Sequence, residues 1–109
     1  MESNSYQSTI DALHLCVQRC EECATACLEE EHVKMLAECI RLDRDCAEIC
    51  RATAVFLARS SEHAPHLCRE CAELCHLCAE ECERHEMDHC KRCAEACRKV
   101  VQECQKHVR

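Results

Sequence analysis

Small apolar side chains recur along this chain at intervals of three and four residues, and most of the recurring positions are cysteines. An alternation of three and four adds up to one heptad, so each run of cysteines forms one stripe along one side of a helix. The runs are Cys16, Cys20, Cys23 and Cys27; Cys39, Cys46 and Cys50; Cys68, Cys71, Cys75, Cys78 and Cys82; and Cys90, Cys93, Cys97 and Cys104.

The breaks between the four runs predict where the helices begin and end. Ser8 and Asp11 are typical of a capping pair at a helix start, Pro65 suits a first helical position, and Asp88 suits an N-cap. The sequence therefore predicts helices over about residues 8–29, 33–59, 65–84 and 88–107.

Turn-forming residues are scarce, which favours one simple architecture. The chain has no glycine and one proline, while Glu, Ala, Leu, Lys and Arg fill the gaps between cysteines. Short connections make consecutive helices antiparallel neighbours. We expect an all-α fold, an antiparallel up-down-up-down four-helix bundle over a single domain, 1–109, with a cysteine-lined core.

The number of cysteines points to soft metal ions. One isolated cysteine is usually a small packing residue. Sixteen cysteines in register indicate a role beyond packing, because Leu or Ala would pack equally well without the hazard of oxidation. Thiolates select Cu(I), Zn(II) and iron–sulfur clusters. The count fits both multiple bridged Cu(I) ions per chain and tetrahedral Zn(II) sites, so a copper store and a zinc or heavy-metal buffer are both open.

The net charge and the sequence pattern argue against several other classes of protein. A net charge of −7, with both signs interspersed, argues against a nucleic-acid surface. The N-terminal residues do not resemble a signal peptide, and no apolar run approaches membrane length. We therefore expect a cytoplasmic protein with reduced thiols and no membrane partner. Thioredoxin-like redox chemistry needs a βαβ context, so we expect binding without enzymatic turnover.

Other soft or acidic side chains accompany the cysteines. His32, Met35, His85, Met87 and His89 collect at the end shared by the first and third connections, and we expect copper to enter there. Imidazole and thioether also bind Cu(I).

Asp43 lies four residues after Cys39 and three before Cys46. It is predicted either to face the bundle axis beside the metal or to pair with Arg41 or Arg44 at the flank.

The second helix carries an additional apolar stripe. Met35, Leu42, Ile49 and Phe56 recur every seven residues, offset from the cysteines. The stripe predicts either packing between helices of one chain or a subunit interface.

Three segments carry a resemblance to a known family. They are "CIRLDRDCAEIC" (39–50), "CxxCAxxCxxCxxxC" (68–82) and "HEMDHCKRCAEAC" (85–97). With these segments the chain resembles the bacterial cytosolic copper storage proteins. The resemblance implies a four-helix bundle that holds many Cu(I) ions along its core, a homotetramer, metal uptake at the His-rich end, and contact of Asp43 with the first metals. Members often carry a third histidine where this chain has Met87.

Overall fold

Four α-helices make up most of the chain, and the structure, a computed structural model, describes residues 2–108. The helices are α1 (Glu2–Leu28), α2 (Ala37–Ala58), α3 (Ala64–Cys82) and α4 (Asp88–Gln105). A short 3₁₀ turn, Val33–Leu36, leads into α2. Within residues 2–108 no strand occurs, so the fold is all-α.

The helices form an elongated bundle with one closed core. Consecutive helices pack against each other, and α4 returns to pack against α1. The described part of the chain measures 48 × 19 × 17 Å, so the bundle is long and narrow. This arrangement confirms the predicted four-helix bundle. No helix among residues 2–108 is both long and apolar enough to cross a membrane.

Cysteine side chains make up most of the core. All sixteen cysteines are buried with 0% exposure. Leu13, Leu57 and Val100 are equally buried and occupy ordinary apolar core positions. The heptad spacing explains the lining, because it keeps one side of each helix turned towards the axis.

The start of α1 differs from the prediction. The helix begins at Glu2 and not at Ser8, so Ser8 and Asp11 do not cap it. Ser8 instead donates a hydrogen bond to Glu103 on α4 at 2.9 Å. The prediction failed because this first turn has no cysteine stripe and is stabilised by a polar contact with a distant helix.

Two other helix ends also differ in detail. Met87, with extended backbone, occupies the N-cap of α4 and offers no side-chain hydrogen bond. Asp88 is therefore not the N-cap. It lies in the first turn, where its charge favours the helix dipole and its carboxylate pairs with Arg92 at 3.1 Å. Pro65 follows Ala64, the first residue of α3.

Most of the additional apolar stripe packs within the single chain. Leu42, Ile49 and Phe56 are partly buried and pack against the core of the same chain. Met35 keeps 75% of its surface exposed. The stripe therefore contributes to the bundle and also presents apolar surface at its edge.

Candidate metal centre

The cysteine side chains form one continuous sulfur lining along the bundle axis. Sulfur atoms from different helices approach closely: Cys46 Sγ lies 3.1 Å from Cys75 Sγ, and Cys39 Sγ lies 3.5 Å from Cys82 Sγ. Cys16 Sγ lies 3.7 Å from Cys97 Sγ, which joins α1 to α4. Because all sixteen are free thiols, every sulfur is available as a ligand once it loses its proton.

Groups of four ligand atoms lie within 4.8 Å of one another along this lining. Neighbouring groups share sulfurs, as Cys16 and Cys46 each belong to two of them. Shared sulfurs suit metals that accept bridging thiolates. Five of the groups are Cys16, Cys46, Cys50 and Cys75; Cys16, Cys20, Cys46 and Cys97; Cys20, Cys78, Cys93 and Cys97; Cys23, Cys27, Cys39 and Cys90; and Cys23, Cys39, Asp43 and Cys82.

The lining extends to the end of the bundle near Pro65. There Cys68, Cys71 and Cys104 are all buried, and the two neighbouring thiols raise the pKa of Cys104. Thr53 is buried beside this region, and its hydroxyl donates to the Ile49 carbonyl at 2.7 Å. The sulfur lining therefore extends from the first turns of α3 to the His-rich end of the bundle.

Asp43 is part of the lining and not of the flank. Its side chain has 0% exposure. The thiols of Cys78 and Cys93 donate to its Oδ1 at 3.3 Å, and the Cys82 thiol donates to the same oxygen at 3.6 Å. These partners place the carboxyl between the middle of the lining and the His-rich end.

The predicted pairing of Asp43 at the flank is wrong. Arg41 pairs with Glu38 at 3.1 Å, and Arg44 pairs with Glu21 at 3.3 Å. Both arginines therefore have surface partners, and neither neutralises Asp43.

Burial and neighbouring charge raise the pKa of some groups of the lining, whereas hydrogen bonds from other thiols lower the pKa of others, including Cys71 and Cys93. Burial, followed by the negative charge of ionised Cys93 and Cys78, raises the pKa of Asp43 to about 11. Burial also raises the pKa of the Cys27 thiol to about 11, with a further contribution from charge at Cys39. A soft cation would reverse the preference of Asp43 and Cys27 for the neutral form, because it stabilises thiolate and carboxylate directly.

One end of the lining carries a histidine directed inward. We call this end the mouth; it is formed by Glu30, His32, Met35, Glu81, His85, Met87 and His89. His89 Nδ1 lies 3.6 Å from Cys23 Sγ, 3.6 Å from Cys90 Sγ and 3.9 Å from Cys27 Sγ. The ring therefore meets three thiols at once.

The other predicted side chains of the mouth surround a surface cleft of about 360 Å³. His32, Met35, His85 and Met87 all line it. Met87 also packs on the buried core, whereas His32 is exposed. The structure thus collects at one end the five soft side chains that the sequence predicted there, and of these His89 has recorded contacts with core sulfurs.

The remaining histidines lie away from the lining or at its other end. His14, His63, His66 and His76 are exposed. His107 contacts the Thr9 hydroxyl at 2.9 Å and packs edge-on against Tyr6. None of these five histidines contacts a core sulfur among the described residues.

Two carboxylates of the mouth were missed by the sequence analysis. Glu81 Oε2 lies 3.0 Å from His85 Nε2, and Glu30 Oε2 lies 3.0 Å from His89 Nε2. Glu81, in the last turn of α3, precedes His85 by four residues, and that spacing could have indicated the pair. Glu30 and His89 are 59 residues apart, and no local pattern connects them.

Comparison with known proteins agrees with this geometry. The chain matches the family described as Csp, copper storage protein, over residues 2–109. A cysteine-rich protein of Bacillus subtilis (strain 168), described as uncharacterized, is 38% identical over 83 residues, which span 76% of this chain and 77% of that protein.

Solved structures of copper-bound proteins have the same fold as this chain. The Cu(I)-bound copper storage protein BsCsp3 matches with a TM-score of 0.92 and 36% identity, over 96% of this chain and 99% of that one. A cytosolic copper storage protein from Streptomyces lividans, described during copper loading with five coppers, matches with a TM-score of 0.94 and 39% identity, over 98% and 94%. The chain therefore belongs to the copper storage protein family.

Proposed function

We propose that this protein is a cytosolic store that sequesters many Cu(I) ions through its core cysteine thiolates, without catalytic turnover. The observation that carries this proposal is the single lining of sixteen buried, free thiols. A catalytic centre needs a few precisely placed groups, whereas a repeated lining supplies capacity. The relatives described as Cu(I)-bound and as loaded with copper support the same cargo.

The sharing of sulfurs favours Cu(I) over Zn(II). Zinc prefers closed tetrahedral sites that use about four sulfurs per ion. Cu(I) accepts fewer sulfurs, and one thiolate can bridge two ions. Because the four-ligand groups overlap at Cys16, Cys46 and other positions, the lining suits a chain of bridged Cu(I) ions better than separate zinc sites.

Anaerobic titration tests the storage proposal. We expect the reduced protein to retain more than about ten Cu(I) per chain after gel filtration, because sixteen bridging thiolates can approach one metal each. Zn(II) titrated in parallel should saturate at about four ions. Saturation at three or four Cu(I) would contradict storage and favour discrete sites.

We assign metal roles to the side chains of the lining and the mouth. The proposed ligands are the sixteen cysteines and Asp43 in the lining, and His85, Met87 and His89 at the mouth. His89 supports this assignment most directly, because its Nδ1 meets three thiols. The cleft lined by His85 and Met87 also includes Glu30, the hydrogen-bond partner of His89, which supports entry of the ion at this end.

We also propose that the chain assembles as a homotetramer. The support is the apolar edge of α2, where Val55 is 51% exposed and Leu42 and Ile49 are only partly buried.

A further inference from the structure

A carboxylate from a different part of the chain holds the histidine that faces the sulfur lining. Glu30 follows the end of α1, and His89 lies in the first turn of α4. Glu30 Oε2 lies 3.0 Å from His89 Nε2, and the histidine side chain is only 15% exposed. The contact therefore fixes one edge of a ring that is already largely enclosed by protein.

The chemistry of this contact determines which ring nitrogen carries the proton. An ionised carboxylate can only accept a hydrogen bond, so the hydrogen resides on Nε2. In a neutral imidazole the other nitrogen then keeps its lone pair. That nitrogen, Nδ1, lies 3.6 to 3.9 Å from the sulfurs of Cys23, Cys27 and Cys90. The lone pair therefore faces the three thiols.

The second inner histidine of the mouth repeats the arrangement. His85 Nε2 lies 3.0 Å from Glu81 Oε2, and these side chains are 17% and 12% exposed. Carboxylate partners of this kind commonly fix the tautomer and orientation of histidines that bind metals. The exposed histidines His63 and His76 lie farther from their carboxylate neighbours, at 3.7 and 3.5 Å, so the close, half-buried contacts are those of the mouth.

We propose that Glu30 is a positioning residue for Cu(I) uptake. It holds His89 in the Nε2–H tautomer and directs the Nδ1 lone pair at Cys23, Cys27 and Cys90, so that one nitrogen and three sulfurs form a preorganised receiving site. The inference deepens the proposed storage function and rests on it for the identity of the ion. The tautomer itself requires no metal and is observable in the reduced, copper-free chain.

Nitrogen-15 NMR of the histidine rings tests the tautomer in the full-length, reduced, metal-free protein. The His89 signals are assigned by their loss in His89→Ala. We expect the wild-type ring to show hydrogen on Nε2 alone. A ring with hydrogen on Nδ1, or on both nitrogens at neutral pH, would overturn the proposal without any further variant.

Matched variants distinguish the effect of the Glu30–His89 hydrogen bond from the effect of the Glu30 charge. Glu30→Ala removes the acceptor, so a measurable Nδ1–H form of His89 should appear. Glu30→Gln loses the charge but keeps an amide oxygen that can accept from Nε2–H, so the wild-type tautomer should return. Glu31→Gln removes the same charge one residue away. Among residues 2–108 Glu31 is exposed and has no recorded hydrogen bond or ion pair, so this variant should leave His89 unchanged.

Rapid mixing with one equivalent of Cu(I), supplied by a colourless Cu(I) chelate, measures uptake in the same variants. Loss of such a partner typically weakens metal binding or activity by about 10- to 100-fold. We expect Glu30→Ala to slow transfer of the first ion by about tenfold, with Glu30→Gln and Glu31→Gln near the wild-type rate. Equal slowing by Glu30→Gln and Glu31→Gln would show that charge alone matters and would overturn the positioning role.

The two proposals fail in different measurements. An unchanged His89 tautomer in Glu30→Ala, with full copper capacity, would overturn the role of Glu30 and leave storage intact. Low copper capacity with the expected tautomer change would overturn storage and leave the hydrogen-bond assignment intact.

Discussion

At the scale of single residues, the unusual feature is a carboxyl group placed among thiols. Asp43 is buried and accepts hydrogen bonds from several cysteines, two of them at 3.3 Å. A carboxylate left charged in such a place would be costly, and the protein avoids the cost by keeping the proton. We expect copper loading to displace these protons, because a nearby cation stabilises the ionised carboxylate and thiolates.

Asp43 gives the metal-free protein a distinct pH dependence. Its pKa is raised from 3.8 to about 11 in the folded state, so the folded chain binds a proton that the unfolded chain releases. The Asp43 contribution to stability is therefore fully present below about pH 3.8 and is lost progressively as pH rises towards 11.

We expect Asp43→Asn to gain stability relative to wild type between about pH 4.5 and 7.5, by up to about 1.4 kcal/mol per pH unit. The Asn side chain is never charged, so the unfolded state gains nothing from ionisation. Urea unfolding of reduced, metal-free protein measures the difference. Asp45→Asn, which removes an exposed charge from the same helix, serves as control. A constant difference across this range would show that Asp43 is already ionised in the fold.

Three side chains of the mouth, His85, Met87 and His89, should govern the rate of copper uptake more than the number of ions bound. Replacing His85, Met87 and His89 by Ala removes at most three ligands, while all sixteen cysteines remain. We expect slower loading and slower removal by a chelator, with a final copper count within a few ions of wild type.

Among the single variants His89→Ala should have the largest effect on the loading rate, because His89 Nδ1 contacts three core sulfurs. Stopped-flow loading measures the rates, and His76→Ala, an exposed histidine on α3, is the control. Unchanged rates in the triple variant would mean that copper enters elsewhere.

At the scale of helices, a polar latch joins the two ends of the chain. Glu103 on α4 is only 4% exposed and accepts hydrogen bonds from Ser8 and Thr9 on α1 at 2.9 Å each. Lys106 donates to its other oxygen at 3.1 Å. The latch explains why α1 extends well before its first cysteine.

The pKa of Glu103 makes this latch sensitive to acid. Burial pushes the pKa upward, but hydrogen bonds from Ser8, Lys106 and Thr9 outweigh it and lower the pKa from 4.5 to about 2. Because the folded pKa is depressed, the contribution to stability is present above about pH 4.5 and is lost as pH falls towards 2.

We expect Glu103→Gln to lose up to about 3 kcal/mol of stability at pH 7 and to show a smaller loss on acidification than wild type. Thermal unfolding of the reduced protein from pH 7 to 2.5 measures both effects. Glu95→Gln removes an exposed charge from the same helix and should behave as wild type. An equal loss on acidification in Glu103→Gln and wild type would assign the acid sensitivity to other carboxyl groups.

The helices themselves were largely predictable, whereas their ends were not. Cysteine spacing alone indicates the four stripes, because a seam of small apolar residues has a fixed period. The start of α1 at Glu2 and the N-cap at Met87 depend on contacts that have no local pattern. The sequence left Asp43 open between the axis and the flank, and its inward position without an arginine partner is visible only in the folded arrangement.

At the scale of the whole molecule, the apolar edge of α2 predicts assembly. Leu42 and Ile49 are partly buried in the single chain, and an apolar stripe at such an edge is typical of a subunit contact. We expect Leu42→Gln combined with Ile49→Gln to lower the solution mass from that of four chains to that of one or two. Light scattering after gel filtration measures the mass.

Leu77→Gln, which changes a 41% exposed leucine on α3, is the matched control for the assembly experiment. Circular dichroism must show that the double variant remains helical. A folded double variant with the wild-type mass would place the subunit contact on another surface.

The bundle should fold before it receives copper. Protonated thiols pack as small apolar groups, and Leu13, Leu57 and Val100 are already fully buried with them. We expect reduced, metal-free protein to show a strongly helical far-UV spectrum and cooperative melting. Cu(I) should then raise the melting temperature with little change in helicity, because an ion that binds only the folded state stabilises it by mass action. A coil that becomes helical only on copper addition would mean that the metal, and not thiol packing, specifies the fold.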